Sequence, residues 1–395
     1  MLSPEIKNMV SELVKKVREN PELSGEEFFA CSLQVDFLKK QGFTVKSPIA
    51  GEKTAYKAVF TVNGKEGEYI PSFAFCAEYD ALPEVKHGCG HPLIMGSSLT
   101  AALSLKNMLE EKNIPGKVIL FGCPAEETYG GKYKIADSTE ADEADAFLMA
   151  HPIGGGSFLG DIAYSGVKGV RIIYSGTGGS GAARMANPAF VNPLDAQNLL
   201  YQAVALRRHF FPRDVAITGV ITDGGTRSNM LPLTTESSYT VRSQDPSRLE
   251  EYTEILCQMA EGAAMMTGTK VEIIRNRGLV PTRPNRVLNR AFLDAVEKHG
   301  GRANCAMPQR GGCFAGTDFG IFSQRKPGCH LHFPIMKKAA AHTKEFHCFS
   351  GEKEALESMF TAGECMAESA WKFITEKSFR QQVEEDFRKA DCFEE

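Results

Sequence analysis

The chain has 395 residues, 43% hydrophobic and 24% charged, the composition of a folded protein too long for one simple core. A formal net charge of −4, with Lys and Arg scattered, excludes the basic surface that nucleic acid or an acidic membrane would require. No apolar run approaches the roughly 18–20 residues of a membrane span, so no membrane partner is expected.

The first twenty residues, MLSPEIKNMVSELVKKVREN, alternate as an amphipathic helix and lack the apolar block of a signal peptide. A cytoplasmic chain is therefore expected. A second helix is expected to start at Ser24, where SGEE offers Ser at the N-cap and Glu27 three residues on, a capping box. Apolar strands then alternate with helical stretches: YKAVFTV (56–62), SFAFCAEY (72–79), KVILFGC (117–123) and AFLMA (146–150). Between the second and third of these, residues 93–112 form a helix apolar on more than one face, hence buried. This alternation predicts an α/β domain with a largely parallel central sheet.

Near residue 167 the rhythm changes to strand, helix, strand, strand, helix, strand over about 110 residues, the ferredoxin-like βαββαβ order. Helical α/β character resumes at 285–300, and the stretch from Ser350 to Asp391 is mostly helix-forming. The chain is accordingly divided into a larger α/β domain of two parts, 1–166 and 282–395, interrupted by a smaller domain at 167–281.

Eleven cysteines lie singly, without a CxxC pair, and read as small buried hydrophobes in a reducing compartment. Cys89 differs, because HGCGH (87–91) sets it between His87 and His91 on glycine spacers. Three further clusters follow predicted strands or come late in the chain: PAEE (124–127), His151 in AHP, and His342 in AAAHTKEF. In an open α/β sheet the carboxyl ends of the strands form the ligand crevice, where Cys, His and Glu together suit a transition metal. Glu126 and Glu127 are adjacent and point to opposite sides in extended chain, so one can bind metal while the other faces a water molecule.

AEYDALP…HGCGH, GCPAEETYGGK, MAHP, TDGGTRSNMLP, GTDFG and AAHTKEF together resemble the metal-dependent amidohydrolases of the aminoacylase/carboxypeptidase G class. The branch nearest in motif includes auxin-conjugate hydrolases, aminobenzoyl-glutamate hydrolase and peptidase-like hydrolases of N-acyl amino acids or dipeptides. The resemblance implies metal ligands at Cys89, His91, Glu127, His151 and His342, Glu126 as general base, and Asp80 as a residue steadying the site. It also implies two divalent ions, Zn²⁺ or Mn²⁺ with Co²⁺ acceptable, a ferredoxin-like lid, and a homodimer formed through it. The activity implied is hydrolysis of a small N-acyl amino acid, dipeptide or related amide.

Two positions depart from the pattern. Ser180 stands where such lids place a His, and Pro92 follows HGCGH where Asp or Asn is usual. Asn229 matches a lid residue expected near the substrate; Arg184 or Arg227 could supply the charge that Ser180 lacks, and His330 could line the cleft. The same departures motivate an alternative, a metal-containing protein of this fold whose catalysis is impaired and which serves to bind a ligand.

Overall fold

The computed structural model describes residues 2–182, 189–304 and 311–389. Its chain separates into two compact units, Met1–Ile162 with Thr282–Gln309 and Asp318–Glu395, and Ala163–Pro281 with Arg310–Thr317. No helix among the described residues is long and apolar enough to cross a membrane.

In chain order the strands are β1 (Thr44–Lys46), β2 (Tyr56–Val62), β3 (Ser72–Glu78), β4 (Gly116–Cys123), β5 (Ala146–Ile153) and β6 (Phe158–Leu159). Next come β7 (Gly166–Ser175), β8 (Gly179–Ser180), β9 (Val215–Asp223), β10 (Met230–Leu231), β11 (Thr234–Ser243) and β12 (Lys270–Arg275). Two more, β13 (Ala303–Asn304) and β14 (Gly328–Pro334), return to the first unit.

Eight of these strands form the first unit's sheet, in the order β1-β2-β4-β3-β5-β14-β6-β13. Its centre is parallel: β4 with β3, β3 with β5, and β5 with β14. Every residue of β3 and of β14 is buried, as expected of strands covered on both faces. The His91–Lys112 helix is buried along most of its length and packs on β3 and on the Lys353–Thr375 helix. That approach is close: a Cβ on Gly96 would stand 2.2 Å from Met359 Sδ. Leu99, Leu103, Phe73, Phe75 and Phe373 belong to the resulting core, each such side chain contributing about 1.5–3 kcal/mol by leaving water.

The second unit has the sheet order β12-β7-β11-β9, antiparallel throughout. The helices Pro193–Arg207 and Pro246–Thr267 pack on one another and on this sheet around Ile172, Tyr174, Leu200 and Leu256. Each begins at a capping side chain followed by Pro, Asn192 in the first and Asp245 in the second, whose oxygens accept N–H groups of the first turn. The order β7-helix-β9-β11-helix-β12 is the ferredoxin-like pattern, with the two-stranded ribbon β8–β10 added.

One local expectation is corrected. Ser24 does not cap a helix: the second helix spans Phe28–Lys40, and its N-cap position, Glu27, makes no capping bond. Ser24 Oγ donates instead to Asp80 Oδ2 at 2.8 Å, and Glu27 turns inward to accept from Gly25, Thr54 and Ala125. Buried partners remote in sequence outcompete the local cap.

Candidate metal centre

Five chain segments of the first unit deliver the polar groups. β3 ends at Glu78, and Asp80 follows two residues on. Residues 87–90 turn sharply, with Gly90 at φ 83°, so that His91 becomes the first residue of its helix. Pro92 then lies in the helix's first turn, where a missing N–H costs no hydrogen bond. β4 leads into Pro124–Glu127, and β5 carries His151. His342, at φ 65°, donates its N–H to the Gly88 carbonyl at 2.9 Å, which fastens its loop beside Cys89.

These segments bring the side chains together. Cys89 Sγ lies 3.4 Å from His151 Nε2. Glu127 Oε1 lies 3.4 Å from His342 Nε2 and 3.8 Å from His91 Nε2. Cys89, His91 and His151 can place ligand atoms within 4.8 Å of one another, and so can Cys89, Glu127 and His342, and His91, Glu126 and Glu127. Both imidazoles, His91 buried and His151 half-buried, are oriented from behind. His91 Nδ1–H donates to Asp80 Oδ1 at 2.8 Å, and His151 Nδ1–H to the Pro152 carbonyl at 2.7 Å, so that in the neutral, metal-binding form of each ring Nε2 is the lone-pair nitrogen.

His91 Nε2 and Glu127 Oε1 are buried without a hydrogen-bond partner. Two orphaned lone-pair atoms facing a thiol and further imidazoles are what a cation would satisfy, and the mixed thiolate, imidazole and carboxylate set fits a divalent transition metal. Burial, the largest influence, pushes the Cys89 thiol up to about 12, so a thiolate there calls for an adjacent cation. Asp80 behaves oppositely. Burial opposes its charge, but His91, Ser24 and the Glu127 N–H outweigh that and hold its carboxyl at about 2.

Beside this cluster lies a buried ionic array that sequence reasoning missed. Lys132 Nζ is 2.5 Å from both Glu78 Oε1 and Asp318 Oδ1, and its backbone N–H donates to Asp318 Oδ2 at 3.1 Å. Glu78 Oε2 looks the other way, 3.5 Å from His91 Nε2. Burial lowers the affinity of Lys132 for its proton, but Asp318 and Glu78 overcome it and raise its pKa well above the ordinary value. Glu126 stands next to the array; burial first, then the charges of Glu78 and Asp318, raise its carboxyl well above the usual range. The available signal was a carboxylate, Glu78, closing an otherwise apolar strand with no local partner.

His87 faces away, its Nε2 3.1 Å from the Val17 carbonyl. His330 is buried in β14, its ring 5.6 Å from that of His151. Ser180, Arg227 and Asn229 lie in the second unit, all exposed; Ser180 pairs with Met230 across the β8–β10 ribbon, and the Asn229 carbonyl accepts from Gly181 N. Arg184 lies outside the described residues.

An α/β unit with this donor set at its strand ends, in one chain with a ferredoxin-like unit, defines a metal-dependent hydrolase. The model of peptidase family M20/M25/M40 matches residues 74–368, and the chain belongs to that family. Among its relatives, the mouse (Mus musculus) Xaa-Arg dipeptidase is 30% identical over 346 residues, 86% of this chain and 79% of that protein. One of the subunits of p-aminobenzoyl-glutamate hydrolase from Escherichia coli K12 is 27% identical, over 73% of this chain and 62% of that one. Of solved structures, a protein of Bacillus subtilis described as a dinuclear metal binding peptidase from the M20 family superposes with TM-score 0.66 at 18% identity, covering 91% of this chain and 98% of that one. An aminobenzoyl-glutamate utilization protein of Klebsiella pneumoniae gives TM-score 0.67 at 15% identity, covering 94% and 98%.

Proposed function

We propose that the protein hydrolyses the amide bond of a small N-acyl amino acid or dipeptide, using two divalent ions held by Cys89, His91, Glu127, His151 and His342. The observation that carries this reading is the convergence of those five side chains, with the lone pairs of His91 Nε2 and Glu127 Oε1 left unsatisfied inside it. Zn²⁺ suits the donor set, with Mn²⁺ and Co²⁺ as alternatives. Bound there, the ions supply Lewis acidity, polarising the amide carbonyl and making water a better nucleophile near neutral pH.

The chain's own groups do the rest. Glu126 takes the proton of the attacking water and delivers it to the departing amine. Its raised pKa, caused by burial and by Glu78 and Asp318, suits a group that has to hold that proton between the two events. Asp80 keeps His91 in one tautomer and accepts the Glu127 N–H at 3.1 Å, so one carboxylate orients two ligands.

Dipeptides ending in arginine and p-aminobenzoyl-glutamate head the substrate panel, because the mouse and Escherichia coli relatives are named for them. A carboxylate contact from Arg227 and a homodimer built through the second unit belong to the same reading. The second unit leaves Leu206, Phe210 and Met265 largely exposed, which supports the dimer. The test is hydrolysis of the panel by metal-loaded protein, with Glu126→Gln as the control: the variant should keep its metal and lose about 100-fold or more in turnover. A fully active Glu126→Gln protein overturns the assignment.

A further inference from the structure

Two backbone N–H groups flank Glu126, and a buried carboxylate takes each. Asp80 Oδ2 accepts from Glu127 N, as described. On the other side Glu27 Oε1 accepts from Ala125 N at 2.9 Å. Glu27 is fully buried, and its remaining bonds fix it: Oε1 also accepts from Gly25 N and Oε2 from Thr54 Oγ1, both at 2.8 Å.

Ala125 is where such a restraint is needed. Its φ of 58° lies in the left-handed region, which a residue with a Cβ disfavours. The turn that follows is tight. Gly130 N donates to the Ala125 carbonyl at 3.0 Å, and a Cβ on Gly131 would stand 2.1 Å from Pro124 O. Return of Ala125 to an ordinary conformation would break the Glu27 bond and swing Glu126 and Glu127 together, since both follow directly in the chain. Backbone held against its preference beside reacting groups is the kind of strain that surrounding structure has to over-determine.

We propose that Glu27 is a positioning residue of the metal centre, whose carboxylate holds Ala125 in its left-handed conformation and thereby aims the Glu126–Glu127 pair. The proposal rests on the reading of Glu126 as base and Glu127 as ligand. Ser24 acts from the same stretch of chain, since its hydroxyl holds Asp80 Oδ2, the acceptor of the second flanking N–H. The segment Ser24–Glu27 thus braces both ends of the catalytic turn. What the segment contributes is geometry: neither residue has to touch substrate or metal.

The variants Glu27→Ala, Glu27→Gln and Glu27→Ala with Ala125→Gly separate this role from a merely structural one. Three quantities are read on the full chain: hydrogen exchange at the Ala125 amide, Zn²⁺ affinity by chelator competition, and kcat and KM on the best substrate. Glu27→Ala should expose the Ala125 amide to exchange and lower Zn²⁺ affinity or kcat by about 10–100-fold, with KM within about 3-fold. Glu27→Gln should stay within about 3-fold of the parent, because its amide oxygen accepts the same N–H groups and its NH2 can donate to Thr54 Oγ1. Ala125→Gly in the Glu27→Ala background should recover at least about 5-fold of that loss, since glycine adopts φ above zero without the Cβ penalty.

Should Glu27→Ala fail to fold, Glu27→Asp, which keeps the charge but falls short of Ala125 N, takes its place with the same expectation. Full Zn²⁺ affinity and kcat in a variant whose Ala125 amide exchanges freely overturns the proposal. So does equal damage from the Ala and Gln variants. A parent protein that hydrolyses nothing in the panel contradicts the proposed function instead, while amide exchange and Zn²⁺ affinity still decide the role of Glu27.

Discussion

Replacing Lys132 with methionine removes the ammonium that bridges Glu78 and Asp318 while keeping a flexible apolar stem in its place. All three side chains are at most 1% exposed, so water cannot compensate the two carboxylates left behind. Removing one partner from such a buried array costs about 3–5 kcal/mol, several times the value of a surface pair. The Lys132 N–H to Asp318 survives the change, which favours the lower half of that range. The loss should also depend on pH. In the variant, burial and the charge of Glu78 still raise the Asp318 carboxyl while the opposing charge of Lys132 is gone, so Asp318 is more easily protonated when folded than when unfolded; stability falls as pH rises, and the deficit is larger at pH 8 than at pH 5. Adding Glu78→Gln and Asp318→Asn removes the stranded charges and should recover more than half of the deficit. The assay is urea unfolding followed by Trp371, the chain's single tryptophan, which packs against the core of the first unit. A deficit below about 1 kcal/mol, or no recovery on neutralising the carboxylates, would mean that the Lys132 ammonium is not what compensates the buried pair.

His332 is buried in β14, with Nδ1–H donating to the Gly160 carbonyl; burial first, then the charge of His151, hold its pKa at about 3. The unfolded chain takes up a proton near pH 6.5, so this contribution is complete above that pH and is lost as pH falls toward 3. His332→Gln should flatten the stability profile by about 1.4 kcal/mol per pH unit between pH 6 and 4, and an unchanged slope in urea titrations would count against it. Sedimentation at micromolar concentration should show a dimer, and Phe210→Glu with Met265→Glu should shift it toward monomer; a parent protein that is monomeric throughout removes that part of the reading.

Much of the first unit was legible because its strands are covered on both faces and so read as unbroken apolar runs. Thus 117–123 returns as β4 with one residue added; 56–62 also returns as β2 unchanged, although its last four residues are only partly buried. β14 was not legible as a strand. Its sequence, GCHLHFP, interrupts the apolar run with two histidines, and its neighbours in the sheet, β5 and β6, come from far earlier in the chain. The residues of the metal-side cluster other than His342 stood out because they follow a strand or sit on glycine spacers; His342 was reached only through the motif resemblance, and the structure gathers all five. Lys132 left no comparable trace, since its partners are 54 and 186 residues away. Ser24 and Glu27 misled for a related reason. Their spacing matched a local cap, while the groups they bind come from residues 54, 80 and 125, which no local pattern encodes.

Metal held by the five converging side chains and proton transfer by Glu126 can be checked together, by measuring bound metal and turnover in parallel on the same preparations of parent and Glu126→Gln protein. Both proteins should hold about two ions per chain; hydrolysis by the parent should vanish on chelation and return with Zn²⁺ or Mn²⁺, and the variant should be slower by about 100-fold or more. Hydrolysis at full rate by metal-stripped protein, or a Glu126→Gln variant as active as the parent, would contradict that reading.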